Sequence, residues 1–153
     1  MYSEWAPNEK VAFEVAFGAS MGGARAFCAM KHVGLNVAAD PLYTASYIGA
    51  TGGMVCAVAD DPGMHSSQNE QDSRHHAIAS KTPMLEPSDS AECRDFAVMA
   101  YELSERFNTP FLLRLSTRVS HARSIVELGE RKDVSVKEYK KDVMSRVMMP
   151  AMA

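Results

Sequence analysis

The sequence predicts an α/β domain: a mostly parallel sheet flanked by helices. Three observations carry that expectation. Apolar runs at residues 24–30, 54–59 and 109–115 are continuous where a half-exposed strand would alternate, as strands buried on both faces are. Segments of helical period separate them. Strand and helix signals alternate roughly every 20 to 30 residues, which leaves room for the crossover that parallel neighbours require.

Residues 2–5 read as a short strand cut off by Pro7. A helix follows over 8–21, with Asn8 as its cap because a side-chain oxygen there can accept an unpaired first-turn N–H. Ala12, Ala16, Gly18 and Ala19 make this helix slim, and Gly22-Gly23 stops it. Residues 24–30 form a buried strand, and 32–36 a loop. Asp40-Pro41 opens a second helix through Ile48, with proline in the first turn where its missing N–H costs no bond. Gly52-Gly53 leads into 54–59, the clearest core strand. A polar loop spans 60–72, a helix 73–80 and a short strand 83–87. Ser88-Asp89 then caps a long amphipathic helix through Phe107, with Glu92 placed for a capping box. Phe96, Met99, Ala100, Leu103 and Phe107 fall on its inward stripe. Residues 109–115 make the last strand. Beyond 125 the alternation stops and the chain turns charged, then Met-rich (Arg146-Val147-Met148-Met149-Pro150). This divides the sequence into a domain over 1–124 and a linker or docking tail over 125–153.

Composition narrows the function classes. The chain has 153 residues, 46% apolar and 23% charged, enough for one domain with its own core. A net charge of -3 gives no basic field, so nucleic acid is excluded as a partner. No apolar run reaches the roughly 18 residues of a membrane helix. The N-terminus lacks a charged-then-apolar leader pattern, so the cytoplasm is the expected location. Cys28, Cys56 and Cys93 form no Cys-x-x-Cys pair, which argues against disulfides, structural zinc and iron–sulfur ligation. The eleven methionines fill core space or mark a surface covered by another chain; the sequence leaves both open.

Glu9 is the sharpest chemical candidate. A carboxylate on the first turn of a rigid helix can be aimed into a cleft beside a strand end. The same placement is favourable with the helix macrodipole by about 0.3–1 kcal/mol with no chemistry implied. The loop 60–72 gathers acids around His65, Ser66, Ser67, Gln68 and Asn69, and is longer than most connections. It leaves the carboxyl end of a strand, where ligands of parallel sheets bind. Metal-binding spacings are absent from it. His32 also ends a strand, where a ligand-facing histidine and a plain loop histidine are both reasonable. His75 and His76 are adjacent and point about 100° apart on a helix, so they cannot line one site. Gly49-Ala50-Thr51-Gly52-Gly53 precedes a strand, so neither a P-loop nor a dinucleotide fingerprint is present.

Several long strings carry a resemblance. Glu4-Trp5-Ala6-Pro7-Asn8-Glu9-Lys10-Val11-Ala12, Met30-Lys31-His32-Val33-Gly34-Leu35-Asn36-Val37-Ala38-Ala39-Asp40 and Val58-Ala59-Asp60-Asp61-Pro62-Gly63-Met64-His65-Ser66-Ser67-Gln68-Asn69-Glu70-Gln71-Asp72 occur in order. With Met84-Leu85-Glu86-Pro87-Ser88-Asp89-Ser90 and Thr117-Arg118-Val119-Ser120-His121, they resemble the alpha subunits of the indolepyruvate:ferredoxin oxidoreductase family. The likeness extends through the tail at 139–153. That resemblance implies the pyrimidine-binding domain of a thiamine diphosphate enzyme that oxidatively decarboxylates aryl 2-oxoacids to acyl-CoA. It implies that Glu9 hydrogen-bonds N1′ of the aminopyrimidine and favours the imino tautomer. It also implies that His32 and Asn36 border the cofactor, and Asp60, His65, Ser66 and Gln68 the substrate.

The cofactor implied is thiamine diphosphate with Mg²⁺, shared with a pyrophosphate-binding domain whose Gly-Asp-Gly type motif this sequence lacks. Iron–sulfur clusters belong to the complete enzyme and have no cysteine ligands here. The partners implied are that pyrophosphate-binding domain, the beta subunit, ferredoxin for the complete enzyme, and further copies in a homo-oligomer. One strand–helix unit ahead of residue 1 is also expected. The competing expectation is a non-catalytic assembly domain or an inactive truncated fragment.

Overall fold

Four parallel strands run through the centre of the chain in the order β1-β2-β4-β3. The computed structural model describes residues 1–150; positions 151–153 of the expected tail lie outside the described residues. The elements are α1 (Glu9–Met21), β1 (Ala26–Lys31), α2 (His32–Val37), α3 (Ala39–Ile48), β2 (Met54–Asp60), α4 (Arg74–Ser80), β3 (Met84–Leu85), α5 (Ser90–Phe107), β4 (Phe111–Ser116), α6 (Thr117–His121) and α7 (Val143–Arg146). The expected α/β class, with its parallel sheet and helical flanks, is the observed one.

The period-2 alternation of each strand divides the core into two layers. Ala26, Cys28 and Met30 of β1, with Met54, Cys56 and Val58 of β2 and Leu112 of β4, face α1–α3 and bury Phe13, Leu35 and Leu42. Cys28 pairs in register with Cys56, and Cys56 with Leu112, so two thiols lie side by side inside this layer. The opposite face brings Val55, Phe111 and Leu113 against Ala100 of α5, with Phe96, Ala97, Tyr101 and Leu103 packed around them. β2 lies between two strands and is buried almost throughout, which matches its unbroken apolar run.

Four expectations need correction. Residues 2–5 form no strand: Trp5 and Tyr2 stand in solvent, no strand pairs with this segment, and a strand without a ladder has no bonds to hold it. Residues 32–36 are not a loop but helix α2. β1 alternates buried and exposed because it is the sheet's edge and α5 does not reach it, leaving Phe27 half exposed. On α5, Met99 and Phe107 face outward, while Ala100 and the polar Ser104 are the buried positions.

Helix ends were better marked. Asn8 Oδ1 accepts from Val11 N at 3.0 Å. Asp89 Oδ1 accepts from Glu92 N at 2.9 Å, and Glu92 Oε2 accepts in return from Ser88 N at 2.7 Å. Reciprocal capping therefore forms, with the return bond shifted one residue outward.

The tail folds back over the amino ends of the strands. Lys137 N donates to Gly23 O at 2.9 Å, and its ammonium reaches Thr51 O at 3.0 Å. Arg146 spans Gly49 O at 3.1 Å and Thr51 Oγ1 at 2.5 Å. Gly23 has φ +93°, and a Cβ there would lie 2.1 Å from Lys137 O, so only glycine fits beneath the strap. No helix among the described residues is long and apolar enough to cross a membrane.

Candidate functional site

The carboxyl ends of β1, β2 and β4 are Lys31, Asp60 and Ser116, and the chain turns at each into α2, the 61–73 loop and α6. Glu9 reaches the same end from the other direction. Only residues 22–25 join α1 to β1, so α1 runs antiparallel to the strand and its first turn stands above the carboxyl end. The Glu9 side chain lies across Gly34 of α2, where an added Cβ would sit 2.5 Å from Glu9 Cγ. The neighbouring groups are engaged elsewhere, Lys10 with Asp40 at 2.8 Å and Asn8 with the helix cap. Among the described residues no donor bonds the Glu9 carboxylate, which leaves it a free acceptor.

His32 begins α2 and is 1% exposed. Its Nε2 stands 3.2 Å from both Asn69 O and Asn69 Oδ1. A backbone carbonyl only accepts, so Nε2 carries the proton and Nδ1 presents a lone pair. That Nδ1 is buried and has no partner. An orphaned buried acceptor is costly in a finished core and is expected where a donor arrives from outside the chain.

A second cluster fixes the loop. Asp61 accepts from Thr117 Oγ1 at 2.6 Å and from Ser66 N at 2.7 Å. Lys31 Nζ donates to Ser66 O at 2.6 Å and lies 3.9 Å from Asp61. The Thr117 hydroxyl first, with the Ser66 amide and the Lys31 ammonium, holds the Asp61 carboxyl far below the usual carboxylate range, against burial. Asp60 is turned to the other side of the strand end. It is fully buried, paired with Arg114 Nε at 2.7 Å, and receives Ser73 N at 3.0 Å. Arg114 is bound in turn by Glu86, with Asp72 3.7 Å away.

Of the residues expected from sequence, Glu9 lies across Gly34 of α2, His32 begins that helix, and Asn69 links His32 to the loop. Asn36 is exposed and accepts from His76 Nε2 at 3.1 Å, tying α2 to α4. His65, Ser66 and Gln68 are on the outer rim. Ser66 takes part through its backbone, and the His65 ring lies over Gly63, which has φ +80°. Asp60 acts beneath the loop. Sequence reasoning passed over Lys31, Gly34 and Asp61, and reached Thr117 only as part of the 116–118 segment that leaves a strand's carboxyl end. The Asp60-Asp61 doublet held the available signal: adjacent residues at a strand end face opposite ways, so only one can point into the sheet.

This geometry is a free carboxylate and an imidazole with one unpartnered nitrogen at the carboxyl ends of a parallel sheet, the place where such folds bind cofactors. The family model for pyruvate flavodoxin/ferredoxin oxidoreductase, thiamine diphosphate-binding, matches residues 4–152. The chain belongs to that family of thiamine diphosphate-binding domains. It is 53% identical to indolepyruvate oxidoreductase subunit IorA of Archaeoglobus fulgidus over 99% of this chain and 25% of that protein. The IorA of Methanothermobacter thermautotrophicus is 51% identical over 100% of this chain and 25% of its own length. That of Pyrococcus abyssi is 54% identical over 85% and 20%. The chain thus spans about a quarter of the length of the curated relatives it matches.

The residues present fit one half of the cofactor. A free carboxylate seated on a bare glycine suits an aminopyrimidine nitrogen, and the orphaned His32 Nδ1 suits an N–H donor. The diphosphate half is different. Among the described residues no group of three or more His, Cys, Asp or Glu side chains is arranged to hold a metal ion.

Proposed function

We propose that this chain supplies the pyrimidine side of the thiamine diphosphate site in a cytoplasmic indolepyruvate (aryl 2-oxoacid):ferredoxin oxidoreductase. Residues 1–124 act as the cofactor-binding domain and 125–153 as the linker. When bound, thiamine diphosphate supplies the nucleophilic carbon and the electron sink for loss of CO₂ from the 2-oxoacid. Glu9 accepts and holds a proton at its carboxylate against the ring nitrogen, and α1 keeps that carboxylate oriented. His32 and Asn36 border the ring. The loop bearing His65, Ser66 and Gln68 covers the substrate side, kept in place by the ion pair of Asp60 beneath it. Mg²⁺ and the diphosphate are held by a pyrophosphate-binding domain outside this chain. Iron–sulfur clusters, a beta subunit and ferredoxin complete the electron path, and the assembly is a homo-oligomer of such units.

The observation that carries this reading is the free Glu9 carboxylate at the strand ends of a chain in this family. The test is calorimetric titration with thiamine diphosphate and Mg²⁺, first on the chain and then on the assembled enzyme, for wild type and Glu9→Gln. Wild type should bind only when the partner domain is present. In the assembled enzyme Glu9→Gln should keep the fold and lose decarboxylation by at least about a hundredfold, the scale of a lost acid–base group. Normal turnover by Glu9→Gln, or no binding in any assembly, would sink the proposal.

A further inference from the structure

Gly34 is an unexpected residue in the middle of α2. It is buried, and its backbone is outside the left-handed region, so nothing in its conformation calls for glycine. Within a helix glycine is less favourable than alanine. What excludes a side chain is Glu9. A Cβ at 34 would meet Glu9 Cγ at 2.5 Å, Cδ at 3.0 Å and Oε1 at 3.0 Å, and these are its three nearest neighbours. The closest of them, Cγ, is placed by one torsion about the Glu9 Cα–Cβ bond. A methyl group at 34 therefore cannot be avoided by a small adjustment at the carboxylate tip. It would turn the whole side chain into another rotamer and carry the carboxylate away from the strand ends.

We propose that Gly34 is a positioning residue: its missing side chain is the seat that fixes the Glu9 carboxylate toward the cofactor ring. The proposal rests on the reading of Glu9 given above. A group that must point one way gains from a contact that removes its other rotamers, because misplacement by about an ångström can cost on the order of a hundredfold in rate.

Two experiments test the contact and its purpose separately. In the first, thermal midpoints of the full chain are compared for wild type, Gly34→Ala, Glu9→Ala and the double variant. Without the Glu9 side chain, Gly34→Ala should raise the midpoint, as alanine does within a helix. With Glu9 present it should lower the midpoint or leave it unchanged. An equal rise in both backgrounds would overturn the proposal, since the two side chains would then not compete for space.

In the second, hydrogen–deuterium exchange at C2 of bound thiamine diphosphate is followed by NMR in the assembled holoenzyme. Gly34→Ala should slow exchange at least tenfold at nearly unchanged cofactor affinity, and should add nothing in a Glu9→Gln background. If Glu9→Gln slows exchange and Gly34→Ala does not, the seat has no positioning role. If Glu9→Gln leaves exchange untouched, the functional reading of Glu9 fails and takes this proposal with it.

Discussion

Asp60 and Asp61 are consecutive carboxylates with separate duties. Asp60 turns into the sheet and meets Arg114, while Asp61 turns toward the loop and binds Thr117 and Ser66. The sequence made the loop visible and put Asp60 forward, because composition shows a cluster of polar groups but not which way each one faces. Asp61 should have a clear pH signature. Its folded-state carboxyl lies well below its ordinary value, so its contribution to stability is complete above the unfolded pKa near 4 and fades as pH falls toward the folded one. Asp72, lowered to about 2 chiefly by its hydrogen bond with Arg74, acts in the same direction. Asp61→Asn should therefore lower the urea midpoint at pH 7. The gap from wild type should narrow steadily as pH drops from about 5 toward 2. A gap that stays constant over that range would show that ionisation of Asp61 is not what holds the loop.

At the scale of elements, the legible parts were those with local signals. Asn8 and the Ser88-Asp89-Glu92 group announced α1 and α5, and the unbroken run 54–59 announced β2. α2 was illegible because it has none of these marks. Its cap position, Lys31, makes no side-chain cap bond, and Gly34 breaks its pattern for the sake of a residue on another helix. The α5 stripe was misread for a similar reason. Helical spacing of apolar residues puts Met99 and Phe107 on the inward stripe, yet one buried position belongs to Ser104, which accepts from Met54 N at 2.9 Å and donates to Thr109 O at 2.7 Å. One hydroxyl thus joins the end of α5 to the starts of β2 and β4. Ser104→Ala should cost about 1–3 kcal/mol, the range for leaving a buried N–H unpaired. Against a total of roughly 5–15 kcal/mol that is readily measured by denaturant titration. A loss below about 0.5 kcal/mol would mean that water replaces the hydroxyl.

The molecule as a whole has two poles, with the candidate site at the carboxyl ends of the strands and the tail strapped across the amino ends. Arg25 and Glu105 reinforce the strap's pole, at 2.8 and 3.0 Å between guanidinium and carboxylate, and Glu105 also accepts from Gly53 N. The sequence marked the tail as different in composition but could not show that it docks on its own domain, since its contacts, from the Lys137 backbone and from the Lys132, Lys137 and Arg146 side chains, are made over long separations. Gly23→Ala should free the strap while leaving the far pole intact. Trypsin should then cut near Lys137 and Lys140 several-fold faster, with Glu9-dependent properties unchanged. Equal cutting rates would show that the Lys137–Gly23 bond does not restrain the tail.

The paired thiols at the middle of β1 and β2 have a consequence of their own. Cys28 is 6% exposed and Cys56 0%, and hydrogen bonding to Cys28, then burial, pushes the Cys56 thiol far up from its usual range. In the native state both sulfurs are buried where a reagent in solution does not reach them, and the Cys56 thiolate, its reactive form, is disfavoured as well. They become reactive only when the edge strand parts from its neighbour. The protein thus contains a clock wound into its sheet, one that runs only in the moments when the sheet comes open.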